Sequence, residues 1–212
     1  MVVNYLATPV GDPILLFIGV GFVVIAIILD ALAYKRLPQQ AGSTSTKGIV
    51  ISVIAGIAMG FFYRFVAASM SENFMDPVAG KLTPYTAVFI FSVGILISNF
   101  LWNTIFMYKP LKGEPVGYTS YFRLGTPRLH WIGILGGMIW CIGMSFSILA
   151  SEQAGFAISY GLGQGATMVA AAWGVFIWKE FREAPPGTNR MIFFMFLFFI
   201  IGLSLIIIAR LN

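Results

Sequence analysis

The chain has 212 residues, of which 58% are hydrophobic and only 10% are charged, and its net charge is +5. A soluble domain carries about 25% charged residues, so the composition excludes a water-soluble domain and indicates a protein surrounded by lipid. The single cysteine excludes an intrachain disulfide and a multi-cysteine metal cluster. The basic residues are scattered over separate loops, which argues against nucleic-acid binding. No Gly-rich loop ending in Lys-Ser or Lys-Thr is present, so we expect no ATPase motor.

Long apolar runs occupy most of the chain. The first, residues 13–34, reaches about 30 Å at helical rise, which is the thickness of the hydrocarbon core of a bilayer. Five further runs predict spans at 48–69, 84–108, 129–150, 155–179 and 191–210. The sequence therefore predicts an all-α membrane protein with six transmembrane helices.

Positive charge alternates between the loops that join these spans. Ten of the 13 Lys and Arg residues fall in the first, third and fifth loops, at 35–47, 109–128 and 179–190. Short cytoplasmic loops are rich in Lys and Arg. The pattern predicts a multi-pass protein of the inner or plasma membrane, with these three loops in the cytoplasm and both termini outside.

The first and last spans resemble each other. GFVVIAIILDA in the first is similar to GLSLIIIARL in the sixth. Five loops, an odd number, separate the first span from the sixth, so the two copies cross the membrane in opposite directions. An inverted repeat of this kind is common among secondary transporters.

Polar side chains interrupt two of the spans at similar depths. Asn99 and Asn103 lie four residues apart on one face of the third span, and Gln164 lies in the fifth. One interpretation is a solute pocket near the membrane midplane, where amides bind a polar solute and the rings of Trp140 and Tyr160 stack on its apolar side. The alternative is that the amides hold helices together by hydrogen bonds.

Tyr63 and Arg64 lie well inside the second span, and Arg64 is the sharper anomaly. One interpretation has the Arg64 side chain extending to the outer headgroups. The other has it facing inward, towards an anionic solute or a carboxylate such as Glu72 or Glu152. We include both Tyr63 and Arg64 among the candidate substrate-binding residues.

Pairs of glycines four residues apart recur along the spans. The pairs are Gly56/Gly60, Gly133/Gly137 and Gly161/Gly165. Small residues at this spacing allow neighbouring helices to approach closely. We therefore predict a helix–helix contact at each pair.

Two stretches resemble a known family. KGIVISVIAGIAMGFFYRFVA, at 47–67, and SYGLGQGATMVAAAWGVFIWKEF, at 159–181, are similar to the second half of drug/metabolite transporter superfamily members, in the branch of glucose/ribose porters, rhamnose–proton symporters and ureide permeases. The resemblance implies ten helices in two inverted five-helix repeats. On that plan residues 1–46 hold the last helix of a first repeat and a linker, and 47–212 form the second repeat. Arg64 departs from the pattern, since a less polar residue is expected there.

The resemblance implies a secondary transporter, or the C-terminal part of one, that moves a sugar or similar small polar metabolite by alternating access. No catalytic constellation is present, so we expect no enzyme activity, no cofactor and no metal. The alternative is a membrane scaffold that binds a partner through its small-residue helix faces. Because only one repeat is present, we expect no transport by a lone monomer, and the partner is either a missing N-terminal half or a second copy.

Overall fold

The computed structural model describes residues 1–37, 46–111 and 113–211, and within them the chain is helical, with no strand beyond one isolated bridge between Met70 and Leu82. Most of the predicted linker and Lys112 lie outside the described residues. The α-helices are α1 Val2–Ala7, α2 Pro13–Lys35, α3 Thr46–Ser69, α4 Pro84–Tyr108, α5 Tyr118–Leu124, α6 Pro127–Ala154, α7 Phe156–Gly163, α8 Gly165–Ala172 and α9 Thr188–Leu211, and a π-helix covers Trp173–Ile177.

Five helices in the described part of the chain are long and apolar enough to cross a membrane. They are Pro13–Lys35, Val50–Ser69, Pro84–Tyr108, Pro127–Ala154 and Thr188–Leu211. They match five of the six predicted spans to within a few residues at each end. The predicted span 155–179 differs, because α7, α8 and the π-helix share its length. A crossing by this composite segment stays a prediction.

The chain forms two compact units. The first comprises Met1–Ser45 with Gln153–Asn212, and the second comprises Thr46–Glu152. This division follows spatial contacts, whereas the predicted division near residue 46 follows sequence repeats. The repeat-based division and the inverted arrangement therefore stay predictions.

An antiparallel pair of helices, α2 and α9, forms the core of the first unit. Asp12 caps α2, because its Oδ1 accepts hydrogen bonds from the Ile14 and Leu15 amides at 2.7 and 3.0 Å. The Asp12 amide in turn donates to the Ala209 carbonyl near the end of α9, at 2.8 Å. Farther along, Gly19 faces Gly202, where the two backbones are in contact. The core side chains are Leu16, Val23, Ala26, Ala33, Ile192, Met195, Phe199, Ile206 and Ala209.

Helix α7 packs in the same unit, and Gly161 permits this packing. A Cβ at Gly161 would lie 1.8 Å from Cε of Met1, and one at Gly165 would lie 3.5 Å from Leu203. The predicted helix–helix contact is thus confirmed for this pair as contact with α9 side chains, because a Cβ at Gly161 would also lie 3.5 Å from Ile206. It is wrong within the described residues for Gly56/Gly60 and Gly133/Gly137, where a Cβ would meet no atom within 4 Å.

The second unit joins α3, α4 and α6 through aromatic rings. Phe62 stacks on Phe91 with ring centroids 5.5 Å apart, and Phe91 lies 6.2 Å from Trp140. Many large apolar side chains of this unit are exposed, among them Ile97, Phe100, Leu135 and Ile139. A surface of this kind is compatible with lipid rather than with water.

Candidate functional site

Gln164 lies at the interruption between α7 and α8. Its backbone amide donates to the Gly161 carbonyl at 3.1 Å, and its backbone carbonyl accepts from the Thr167 backbone amide at 3.0 Å. Both bonds span three residues rather than four, so the helix tightens here into a 3₁₀-like turn. Gly163 and Gly165 flank the turn. The half-buried Gln164 side chain makes no hydrogen bond to another described residue, so its donors and acceptor are available to a ligand.

Tyr160 lies four residues before Gln164, one helical turn away on the same face. Its ring is half-buried, like the Gln164 side chain. Both residues belong to the first unit, and a joint role for them in solute binding stays a prediction.

Asn99 and Asn103 lie one turn apart on the exposed face of α4. The Asn103 amide donates to the Asn99 side-chain oxygen. This hydrogen bond is within one helix, so the alternative of an interhelical bond is wrong for this pair in the described structure. The Asn99 NH₂ group and the Asn103 oxygen keep hydrogen-bonding capacity for another partner.

Tyr63 and Trp140 occupy the aromatic region of the second unit. Tyr63 is only 1% exposed, and its hydroxyl donates to the Ser147 carbonyl at 3.5 Å. Its burial favours a packing role for Tyr63. Trp140 is 47% exposed, so its ring remains accessible to a ligand or to lipid.

Arg64 is half-buried on α3. The predicted alternative of an ion pair with Glu72 or Glu152 is wrong within the described residues, since neither carboxylate pairs with it. Glu152 instead accepts a hydrogen bond from the Phe74 amide at 2.7 Å. Extension to the headgroups and contact with an anionic solute both remain open for Arg64.

The candidate residues are divided between the two units. Gln164 and Tyr160 belong to the first, and Asn99, Asn103, Trp140, Tyr63 and Arg64 belong to the second. A single midplane pocket that combines them stays a prediction.

The second stretch of resemblance ends in a W-G-x-x-x-W-K-E-F motif at 173–181, and the structure shows a contact of this motif that the sequence analysis missed. The Tyr34 hydroxyl donates to Oε2 of Glu180 at 2.6 Å, and the Tyr34 ring lies 4.9 Å from that of Phe181. Gly174 lies against this pair, because a Cβ there would be 2.9 Å from the Tyr34 oxygen and 3.0 Å from Glu180 Oε2. The motif thus fastens the segment after the π-helix to the end of α2. The fixed spacing of Gly174 and Glu180 in the motif was the sequence feature that could have indicated this contact.

A cavity of about 1100 Å³ in the first unit also escaped the sequence analysis. Its walls come from α8, the π-helix, the segment after it and α9, and none of the predicted binding residues lines it. Lys179 and Arg182 are the charged residues of its lining, and they follow the π-helix, beyond the C-terminal end of α8. No group of three His, Cys, Asp or Glu side chains that could hold a metal ion occurs among the described residues.

Comparison with known proteins places these features in a family. A sequence model described as ureide permease matches residues 23–209. Ureide permease 1 and ureide permease 2 of Arabidopsis thaliana are 26% and 27% identical to the chain over 184 residues, which is 85% of this chain and 46% of each relative. Transmembrane protein 144 homolog B of Dictyostelium discoideum is 23% identical over 180 residues, or 83% of this chain and 43% of that protein.

The chain spans less than half the length of these curated relatives. No solved structure matches it.

Proposed function

This chain belongs to the ureide permease family, and from that premise we propose that it acts in the transport of a small polar metabolite, by itself or as part of a longer assembly. The family is one of transporters rather than enzymes. The long apolar helices of this chain make it an integral, multi-pass membrane protein.

The interruption of the helix at Gln164 carries this proposal. Transporters bind solute at discontinuous helices, where the backbone leaves its regular ladder near the middle of the membrane. The 3₁₀-like turn at Gln164 is such a discontinuity within an apolar stretch. A polar side chain without a protein partner is costly in a membrane, and a hydrogen-bonding solute at this point offsets that cost.

The proposed solute is a ureide or a compound with similar N–H and C=O groups. The relatives are named ureide permeases, and a carboxamide both donates and accepts, which matches the alternating donors and acceptors of a urea group. The sugar expected from the broader resemblance is the competing substrate class. Its hydroxyl groups also pair with amides, so the amides alone do not discriminate between the two.

The proposed mechanism is alternating access. The α2–α9 pair is held by backbone contact at Gly19 and Gly202, which suits a fixed support. The α7–α8 segment is interrupted by a glycine-flanked turn, which suits a moving part. In this proposal Gln164 lies where the moving segment meets the solute.

A scaffold or assembly subunit is the second candidate. The faces at Gly56/Gly60 and Gly133/Gly137 are open in the described structure, and an open small-residue face accepts a helix from another chain. The same faces also fit a transporter completed by a second set of helices. The two candidates differ in whether the chain binds solute.

The test measures solute binding and flux separately. Purified chain is heated with allantoin, with a hexose or with neither, and stabilisation by a ligand reports binding to the folded state. The same protein in liposomes, alone and with candidate partner chains, reports flux of the labelled compounds. We expect saturable stabilisation by allantoin and no flux by the chain alone. Absence of binding to every small polar solute would return the chain to the scaffold candidate.

A further inference from the structure

The cavity of the first unit has the form of a lipid site. Its walls are apolar, from Met168, Val169 and Ala172 on α8 to Ile192, Phe193, Phe196 and Ile200 on α9. Phe176 of the π-helix stacks on Phe196 with centroids 5.7 Å apart and continues the wall. The rim is open, since Val169 and Phe193 are 59% and 63% exposed. A small polar solute would find few partners along such a wall.

The fold separates the charges of the K-E-F-R stretch, residues 179–182. Lys179 and Arg182 line one end of the cavity. Glu180, between them in sequence, is held by the Tyr34 hydroxyl at 2.6 Å. Lys179 and Arg182 make no ion pair with any described carboxylate. The cavity therefore ends in two positive charges whose intervening carboxylate is bound by α2.

A tight backbone turn at Lys179 accompanies this separation of charges. Lys179 has a φ of 55°, a left-handed conformation that is unusual for a residue with a side chain. The turn is closed by hydrogen bonds from the Glu180 amide to the Gly174 carbonyl and from the Arg182 amide to the Lys179 carbonyl, both at 3.1 Å. Strain of this kind often marks a functional position.

We propose that this cavity binds one anionic phospholipid, with its phosphate at Lys179 and Arg182 and an acyl chain along α8 and α9. The lining of α9 runs from Asn189 to Ile200, about 16 Å at helical rise. One leaflet of the hydrocarbon core is about 15 Å thick, so the groove has the length of one leaflet. Asn189 adds an amide at the headgroup end.

The predicted topology is compatible with this ligand. Loop 179–190 is cytoplasmic in that topology, and anionic lipids are concentrated in the cytoplasmic leaflet. Basic pockets at the ends of transmembrane helices bind lipid headgroups by the same attraction. The proposal concerns a resident lipid and is independent of the transported solute.

Native mass spectrometry of the detergent-purified chain tests the proposal. Phosphatidylglycerol and phosphatidylcholine of equal chain length are titrated against the wild type and against Lys179→Gln/Arg182→Gln. Each basic residue near an anionic headgroup contributes a factor of about five, so the double variant should bind phosphatidylglycerol about 25-fold more weakly. The matched control is Arg123→Gln/Arg128→Gln, two exposed cations outside the cavity, which should bind as the wild type does.

A second variant, Val169→Trp, narrows the apolar groove and should weaken phosphatidylglycerol binding without changing the oligomeric state. Equal affinity for the two lipids, or equal losses in the two double variants, would overturn the proposal. Competition by soluble glycerol phosphate at the same concentration as the lipid would also overturn it, since the groove would then be irrelevant. So would a change of oligomeric state in Val169→Trp with unchanged lipid binding, because a partner helix would then occupy the groove.

Discussion

Gly19 and Gly202 bring α2 and α9 into backbone contact. A Cβ at Gly19 would lie 2.8 Å from the Gly202 carbonyl oxygen, and one at Gly202 would lie 2.7 Å from the Gly19 oxygen. Neither side can yield by rotating a side chain, because both atoms belong to helical backbone. This contact joins residues from the two ends of the chain and sets how closely the first unit packs.

Leucine at Gly19 should therefore destabilise the protein. Overpacking costs typically about 1–3 kcal/mol of unfolding free energy, so we expect a clearly lower melting temperature in detergent, followed by tryptophan fluorescence. Gly21→Leu is the matched control on the same helix, since a Cβ there meets no atom within 4 Å. Equal melting temperatures for the two variants would contradict the observed helix pairing.

The hydrogen bond between Tyr34 and Glu180 should stabilise the first unit. Tyr34→Phe removes the hydroxyl and keeps the ring on Phe181, and we expect a loss of about 1 kcal/mol in the free energy of unfolding. Tyr85→Phe serves as the control, because Tyr85 is 74% exposed. A double-mutant cycle with Glu180→Gln isolates the pair. Additive effects would mean that the hydroxyl and the carboxylate are not coupled.

Alanine at Gln164 or at Asn99 should weaken solute binding without reducing membrane insertion. Removing a side-chain amide that bonds the solute leaves a polar group of the solute unpaired. The cost is about 1–3 kcal/mol, or about 5- to 150-fold in affinity. Ligand-induced thermal stabilisation measures the change. Gln153→Ala is the control, because Gln153 is exposed and its contact with Arg210 uses only the backbone carbonyl. Unchanged affinity with both residues replaced would leave the two amides with a structural role.

Membrane orientation is tested by cysteine labelling in a Cys141→Ala background. The sequence suggests Ser43, Thr119 and Gly187 as shielded positions and Asn73 as an accessible one, and the structure refines this choice. Ser43 lies outside the described residues, Gly187 has a φ of 91°, and Asn73 accepts hydrogen bonds from the Met75 and Asp76 amides. Thr119 is exposed and is kept, and the exposed residues Glu183 and Met75 replace Gly187 and Asn73.

An impermeant thiol reagent applied to intact cells should label a cysteine at Met75 and leave those at Thr119 and Glu183 unmodified. The reason is that Lys and Arg retain their loops in the cytoplasm. Lysed cells, in which all three should react, provide the control. The reverse pattern in intact cells would invert the predicted topology.

Much of the fold could be predicted because it is encoded locally. In lipid each backbone amide and carbonyl must be paired within its own segment, so a sufficiently long apolar run becomes a helix whatever surrounds it. The runs at 13–34, 84–108 and 129–150 therefore predicted α2, α4 and α6 within a few residues. The family resemblance at 47–67 and 159–181 could also be detected from the sequence, because it depends on residue identities alone.

The candidate site was predictable only in part. Gln164 and Asn99 were detectable as amides in apolar runs, but the 3₁₀-like turn at Gln164 depends on how α7 and α8 pack. The sequence identified Tyr63 as a candidate substrate-binding residue, but it did not reveal that Tyr63 is buried, because that burial depends on contact with α6. Composition does not reveal which side of a helix is covered.

The sequence by itself determined the class of protein, the positions of five long helices and a resemblance to a transporter group that includes the ureide permeases, because each depends on local hydrogen bonding or on residue identity. Only the tertiary structure decided that Gly19 rather than Gly21 meets Gly202, and that Glu180 turns to Tyr34 while Lys179 and Arg182 line a cavity. The contacts of Gly19 with Gly202 and of Glu180 with Tyr34 join residues more than 140 positions apart. In an apolar helix every face is suited to lipid, so the face that packs is chosen by the shape of a distant partner rather than by hydrophobic pattern.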